Sequence, residues 1–156
     1  MKFTFSWLCD HLDTNKTLRE ICDVLPMLGL EVEDLYNPLD ALALFRIVEI
    51  VEANQHPDAD RLRVCRVNTG EGELQIVCGA GNARAGLRTV LAPVGAHVPG
   101  LDTVIKQGKI RGQTSEGMLC SPSELGIGED HEGIIELPFD APVGTGFSGF
   151  AQTEYA

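Results

Sequence analysis

Residues 112–156 of this 156-residue chain contain no lysine and no arginine, yet hold 8 Asp/Glu, and the whole chain carries a net charge of −11. Phosphate binding draws most of its non-specific affinity from Lys and Arg, so an evenly basic nucleic-acid-binding surface is excluded. Long apolar runs are missing too. The longest, residues 39–45, is interrupted by Asp40 and is far too short to cross a bilayer. Lys2 is followed by alternating Phe3, Thr4, Phe5 and Ser6 instead of an apolar signal segment, so a soluble, cytoplasmic protein with no membrane partner is expected. The five cysteines, Cys9, Cys22, Cys65, Cys78 and Cys120, include no C-x-x-C pair, which argues against structural zinc. Their odd number and scattered positions fit reduced thiols rather than a disulfide framework. No nucleophile elbow is present, and Ser115, Ser121 and Ser123 are far in sequence from any His-Asp partner. A chain this short without such a cluster is not expected to be a catalyst itself. What is there is globular: 44% apolar and 22% charged residues, enough to bury a core.

The charge is unevenly placed. Residues 1–60 hold 4 Lys/Arg and 12 Asp/Glu, whereas residues 61–111 hold 8 and 3. The central cations are Arg61, Arg63, Arg66, Arg84, Arg88, Lys106, Lys109 and Arg111. Two readings are open. The fold can gather them into a local phosphate-binding patch, or they can pair with nearby acids on a solvated surface.

Three regions separate by pattern. In the first, Phe3-Thr4-Phe5 reads as a short strand and Ser6 as the cap of a brief helical turn. Thr17 and Glu20 have capping-box spacing ahead of Leu18, Ile21, Cys22, Leu25 and Leu28, with Gly29 as the stop and Pro26 kinking or shortening the last turn. Leu30 to Glu33 alternates as a strand. About forty residues of this kind offer too little surface to close a core alone, and Asn37-Pro38 marks a boundary. From Leu44 onward the texture is short β-type runs punctuated by glycine: residues 45–52, 62–67, 74–78, 88–93, 104–106, 118–121 and 134–137, the spacing of a closed or nearly closed barrel. One helical turn fits Ser121-Pro122-Ser123-Glu124-Leu125, capped by Ser121 and ended by Gly126. The Gly-rich stretch from Gly144 reads as a frayed tail.

Several constellations bear on chemistry. His56-Pro57-Asp58-Ala59-Asp60 places an imidazole beside two carboxylates, but a Ca²⁺ loop needs a third oxygen ligand, a central Gly and a distal Glu, so the simpler reading is a polar turn between the first two barrel strands. Residues 79–86 form a glycine-rich loop without the Lys-Ser/Thr ending of a nucleotide P-loop; it can still bring Asn82 and Arg84 to a phosphate. Lys106, Lys109 and Arg111 make the densest basic cluster, with Lys109 and Arg111 expected on one side of an extended strand, Ile110 turned to the core and Ser115 nearby as a neutral donor. Glu129 to Glu132 reads as a solvated acidic loop.

These residues also carry a resemblance. His56 to Cys65, Gln75-Ile76-Val77-Cys78-Gly79-Ala80, Asn82 to Leu87, Lys109-Ile110-Arg111-Gly112 and Ser115 to Ser121, together with Phe5-Ser6-Trp7-Leu8 and Gly29 to Glu33, closely resemble the N-terminal part of the bacterial phenylalanyl-tRNA synthetase beta-chain family. The resemblance runs in order through essentially the whole chain. It implies a mainly β fold: an OB-fold Greek-key barrel over residues 40–150, inserted after residues 1–39 as the N-terminal half of a split α+β domain, with residues 151–156 as a tail. It implies a tRNA-binding module that supports aminoacylation without a catalytic residue or metal of its own. Its site is expected at Arg61, Arg63, Asn82, Arg84, Lys106, Lys109, Arg111 and Ser115. ATP and Mg²⁺ would act elsewhere in the parent ligase, whose alpha chain and remaining beta chain would be partners, and the isolated chain is expected to self-associate through residues 1–35 or to leave them mobile. Gly81 stands where the family usually has proline and Gln107 where it commonly has lysine, departures that predict weaker binding. Between residues 42 and 150 the aromatics are only Phe45, Phe139, Phe147 and Phe150, so recognition by backbone charge and RNA shape is expected over base stacking. The alternative reading is a structural assembly module with little RNA affinity, favoured by the acidic flanks. A freestanding tRNA-binding dimer is a third.

Overall fold

The computed structural model describes residues 1–154, so the last two residues of the expected 151–156 tail lie outside it. Two compact units separate between Tyr36 and Asn37. In the first, helix α1 (Phe5–His11) is capped by Thr4, whose hydroxyl accepts from the Trp7 N–H at 3.2 Å. Helix α2 (Leu18–Val24) begins at the capping box expected from sequence: the Thr17 hydroxyl accepts from the Glu20 N–H, and the Glu20 carboxylate accepts from the Thr17 N–H at 2.8 Å. Pro26 sits in the first turn of a 3₁₀ segment (Leu25–Leu28), and Gly29 ends it in the left-handed region at φ 82°. The strands expected at Phe3–Phe5 and Leu30–Glu33 do not form, and Thr4 caps in place of Ser6. A strand is stable only when paired and packed, and this unit offers neither run a partner strand. Ile21 is its one buried hydrophobic residue, while Met27 and Leu28 are 83% and 70% exposed.

The second unit is β-rich, in the OB-like class expected. Five antiparallel strands run in the order β3-β2-β1-β4-β9, with β1 at Arg46–His56, β2 at Ala59–Asn68, β3 at Glu73–Cys78, β4 at Arg88–Pro93 and β9 at Gly117–Leu119. Two small hairpins complete it, β5 (His97–Val98) with β6 (Thr103–Val104) and β7 (Gly108–Ile110) with β8 (Gln113–Ser115). The expected strand at 134–137 contributes backbone bonds to Cys120 and Arg88 and a single bridge at Leu137, not a full strand. Strand β1 pairs with β4 through Arg46–Glu49 and with β2 through Glu49–His56, with a register shift between Ile50 and Glu52 where it bends. Such an irregularity turns a sheet toward closure.

Closure itself is made by side chains as well as backbone. The Glu116 N–H donates to the Gln75 carbonyl at 2.9 Å, Gln75 Nε2 donates to the Thr114 carbonyl at 2.9 Å, and the Val77 N–H donates to Ser115 Oγ at 3.1 Å. Inside lie Val48, Ile50, Cys65, Val67, Ile76, Leu91 and Leu119. A second cluster covers the outer face of β1 and β4, where Phe45, Ile47, Val90 and Ala92 meet Leu125 and Phe147. The helical turn α3 (Pro122–Leu125) has the Ser121 cap, the proline and the Gly126 stop read from the sequence, and adds a Ser121–Glu124 capping box. The stretch after Gly144 corrects its reading as a frayed tail. Residues Phe147–Glu154 form helix α4, anchored by Phe147 and Ala151, both fully buried. Two anchors four residues apart are enough to dock one helical face, though amid glycines they make little pattern. None of the described helices is long and apolar enough to cross a membrane.

Thr89 on β4 is fully buried and its hydroxyl has no hydrogen-bond partner among the described residues. An unpaired buried hydroxyl costs free energy that a methyl group does not. Thr89→Val is expected to raise stability by about 1 kcal/mol, seen as a higher urea midpoint with an unchanged slope. A lower midpoint would mean that the hydroxyl is satisfied in solution.

Candidate nucleic-acid interface

Two tight hairpin turns meet at one end of the second unit. Pro57-Asp58 joins β1 to β2, and Arg111-Gly112 joins β7 to β8. Both residues of the latter turn have positive φ, 50° for Arg111 and 85° for Gly112. That is the type I′ geometry favoured in two-residue hairpins, because it matches the twist of the flanking strands. The expectation for Lys109 and Arg111 therefore needs correction. They do not lie two apart on one extended strand: Lys109 pairs with Thr114 in β7, and Arg111 occupies the turn. Ile110 does not face the core either, being 41% exposed.

The turns are tied to each other. Arg111 Nη1 donates to the Asp58 carbonyl at 3.2 Å, and His56 Nε2 lies 3.0 Å from the Ile110 carbonyl. The Asp58 N–H donates to His56 Nδ1 at 3.0 Å. The cluster His56 to Asp60 is thus the polar turn anticipated, with the imidazole turned inward and 2% exposed. Beside it runs an open groove of about 580 Å³ whose walls include Leu62, Ala80, Lys106 and Ile110, with Glu132 on its lining as well.

The eight residues expected to bind divide into two groups. Arg61, Lys106, Lys109 and Arg111 are exposed. Among the described residues the side chains of the first three make no hydrogen bond or ion pair, and that of Arg111 makes only its contact to a backbone carbonyl. The other four are engaged within the fold. Arg63 Nη1 donates to the Ala83 carbonyl at 2.6 Å. Asn82 copies a backbone pairing, donating from Nδ2 to the Ile134 carbonyl at 2.9 Å and accepting at Oδ1 from the Ile134 N–H at 3.1 Å. Ser115 is 6% exposed; its Oγ donates to the Gly117 carbonyl while accepting from Val77. Arg84 makes a two-pronged pair with Glu136, Nη1 and Nη2 each 3.0 Å from a carboxylate oxygen.

The two readings of the central cations thus each apply to part of the set. Arg66 is paired with Glu52 and Glu73, and Arg88 lies 4.0 Å from Glu49 with its guanidinium 5.3 Å from the centre of the Phe139 ring. Arg61, Lys106, Lys109 and Arg111 have no acidic partner among the described residues. Burial pushes the Cys65 thiol up to about 11 and the Cys120 thiol up to about 12, and raises Cys78 as well, which keeps the three protonated at neutral pH. Sequence reasoning placed His56 in a polar turn without its tie to Ile110, and it passed over Glu136. Their partners are 54 and 52 positions away, and no local pattern announces such ties.

Comparison with known proteins adds to this geometry. Residues 45–146 match the family described as "Putative tRNA binding domain". The phenylalanine–tRNA ligase beta subunit of Gluconobacter oxydans is 56% identical over 156 residues, covering 99% of this chain and 19% of that protein. The beta subunit of Rhodospirillum rubrum is 57% identical over 144 residues, covering 92% of this chain and 18% of that one. The chain therefore spans about a fifth of the length of these relatives.

The loop that holds Asn82 and Arg84 has a titratable latch. The Arg84 hydrogen bonds, helped by Asn82, hold the Glu136 carboxyl down at about 2, against an ordinary 4.5. A depressed carboxyl contributes stability that is full above its unfolded value and is lost as pH falls through its folded one. Glu136→Gln should therefore unfold at a lower temperature than the parent at neutral pH, with the gap closing between about pH 4.5 and about pH 2. A gap of constant size over that range, followed by circular dichroism, would rule out the latch as a source of acid sensitivity.

Proposed function

The chain belongs to the tRNA-binding-domain family, and from that premise we propose that it holds tRNA by its backbone through Arg61, Lys106, Lys109 and Arg111. The observation that carries this reading is the cluster of exposed cations without acidic partners, three of them around the β7–β8 hairpin, in a chain whose net charge is −11. Phosphate contacts of this kind position a nucleic acid without reading its bases. Among the described residues of the second unit Phe139 is the one exposed aromatic, which supports the same mode, because base stacking on a single-stranded RNA needs such platforms. Acidic Glu129, Asp130 and Glu132 favour a backbone path along the hairpin and away from their loop. Arg63, Asn82, Arg84 and Ser115 contribute by shaping the loops, not by touching phosphate.

Within a longer protein the same reading extends to a non-catalytic module of a phenylalanine–tRNA ligase beta subunit in the cytoplasm. ATP and Mg²⁺ would serve the ligase outside this chain, and an alpha chain would be its partner. Residues 1–39 would be half of a split domain and residues 40–150 the tRNA-binding barrel, with Ala151 of helix α4 still packed against it. The exposure of Trp7, Met27, Leu28 and Leu30 supports the split-domain part, since these residues need a cover that this unit does not supply. That exposure also favours the second reading, an assembly role with little RNA affinity, and binding separates the two.

Four phosphate contacts should give tRNA binding a log–log salt slope of about −3 to −4. The double variant Lys109→Ala/Arg111→Ala is expected to make that slope shallower by about 1.5 to 2. Arg84→Ala should leave the slope unchanged and lower the melting temperature. Salt-insensitive or absent binding by the folded chain would instead favour the assembly role.

A further inference from the structure

We propose that His56 is a positioning residue for RNA binding, the buried pin that holds the Lys109–Arg111 hairpin in the place where its cations meet phosphate. The inference rests on the tRNA-backbone reading above. Its starting point is the proton on the imidazole. The Asp58 N–H can only donate, so His56 Nδ1 accepts and the ring proton sits on Nε2, where it donates to the Ile110 carbonyl at 3.0 Å. His56 is thus the neutral Nε2–H tautomer, with both nitrogens satisfied inside the protein.

The bond to Ile110 connects hairpins 54 positions apart, and it is answered from the other side by Arg111 Nη1 on the Asp58 carbonyl. Each turn thereby holds a backbone carbonyl at or next to the other turn. The hairpin needs such a tie. Strands β7 and β8 are three residues each, all of β7 is exposed, and Arg111 holds a left-handed φ of 50° that is uncommon outside glycine and asparagine. A two-stranded ribbon this short is marginal on its own, and strain at such a φ persists only where the surroundings impose it. Barrel closure fixes the β8 side through Ser115 and Thr114. On the β7 side, His56 Nε2 and Arg111 make the side-chain hydrogen bonds to the rest of the barrel among the described residues, and of these two only His56 is buried.

Two substitutions separate the pin from a general structural role. His56→Gln keeps a donor at the reach of Nε2 and so the bond to Ile110. His56→Asn keeps an acceptor for the Asp58 N–H but falls short of Ile110. The experiment measures tRNA binding at several salt concentrations for the parent, both variants and each variant combined with Lys109→Ala/Arg111→Ala, with amide hydrogen exchange of residues 108–115 read without RNA.

In His56→Asn we expect faster exchange in the hairpin, a salt slope shallower by about 1.5 to 2, and no further loss when the two cations are also removed. His56→Gln should restore the parental slope. A folded His56→Asn with parental slope and hairpin exchange overturns the inference, as does additive loss on removing the cations. So does a folded His56→Gln that binds no better than His56→Asn. If His56→Asn does not fold, His56→Phe, which fills the space without a donor, takes its place. Failure of both to fold would assign His56 to the core and overturn the positioning role. Absent salt-dependent binding by the parent would instead remove the functional reading and this inference with it.

Discussion

Strand β1 is the constraint on which the second unit depends. It pairs along both edges, with β4 at its start and β2 along its remainder, and Ile47, Val48 and Ile50 are fully buried although they do not share one face. A strand covered on both faces reads as continuous hydrophobic sequence and tolerates no slip in register, since a one-residue shift would exchange the interior of the barrel for the outer layer under α4. The bend after Ile50 converts this central strand into a corner. It sends His56 to the end of the barrel where the hairpin turns gather. The placement of the exposed cations is thus a consequence of how far β1 runs past its bend.

An acidic total charge and a local patch of exposed cations coexist because electrostatics at a surface is local. At physiological ionic strength exposed charges separated by more than about 8 Å are largely screened. What matters at the hairpin is therefore which cations nearby acids have already neutralised. Glu52 and Glu73 take Arg66, Glu49 faces Arg88 and Glu136 takes Arg84, whereas Arg61, Lys106 and Lys109 have no such partner among the described residues. Pairing sorts the central cations into structural and available ones, a sorting that a charge count along the chain does not contain.

What was legible in the sequence was whatever is decided within a few residues. The Thr17–Glu20 capping box, the Ser121 cap, the Gly29 and Gly126 stops and the main strands all follow from local propensity and spacing. The misreadings share the opposite origin. Phe3–Phe5 and Leu30–Glu33 alternate like strands, but a strand is a relation between two segments, and neither finds a second. Helix α4 docks by Phe147 and Ala151 against a layer assembled from Phe45, Leu42 and Val90, residues far away in the chain. The long-range ties of Ser115, Asn82 and Arg63 were equally hidden, because the glycine-rich loop, the basic cluster and the family resemblance nominated these residues without showing what they bond within the fold. In three dimensions each is spent on a backbone group from another loop or strand.

The Arg111-Gly112 turn shows how a local rule can yield to a site. A type I′ turn normally takes Asn or Asp before its glycine, residues that tolerate the left-handed conformation, and that preference is why the run 109–111 read as a continuing strand. Arginine at φ 50° gives up a fraction of the stability that asparagine would provide, on the order of 1 kcal/mol. The same backbone geometry projects the guanidinium from the tip of the hairpin, where one of its nitrogens holds the Asp58 carbonyl. The side chain is exposed there, and a planar guanidinium suits the phosphate contact proposed for this tip. A turn optimised for folding alone would not carry this residue; one that must both close a hairpin and present a charge has reason to.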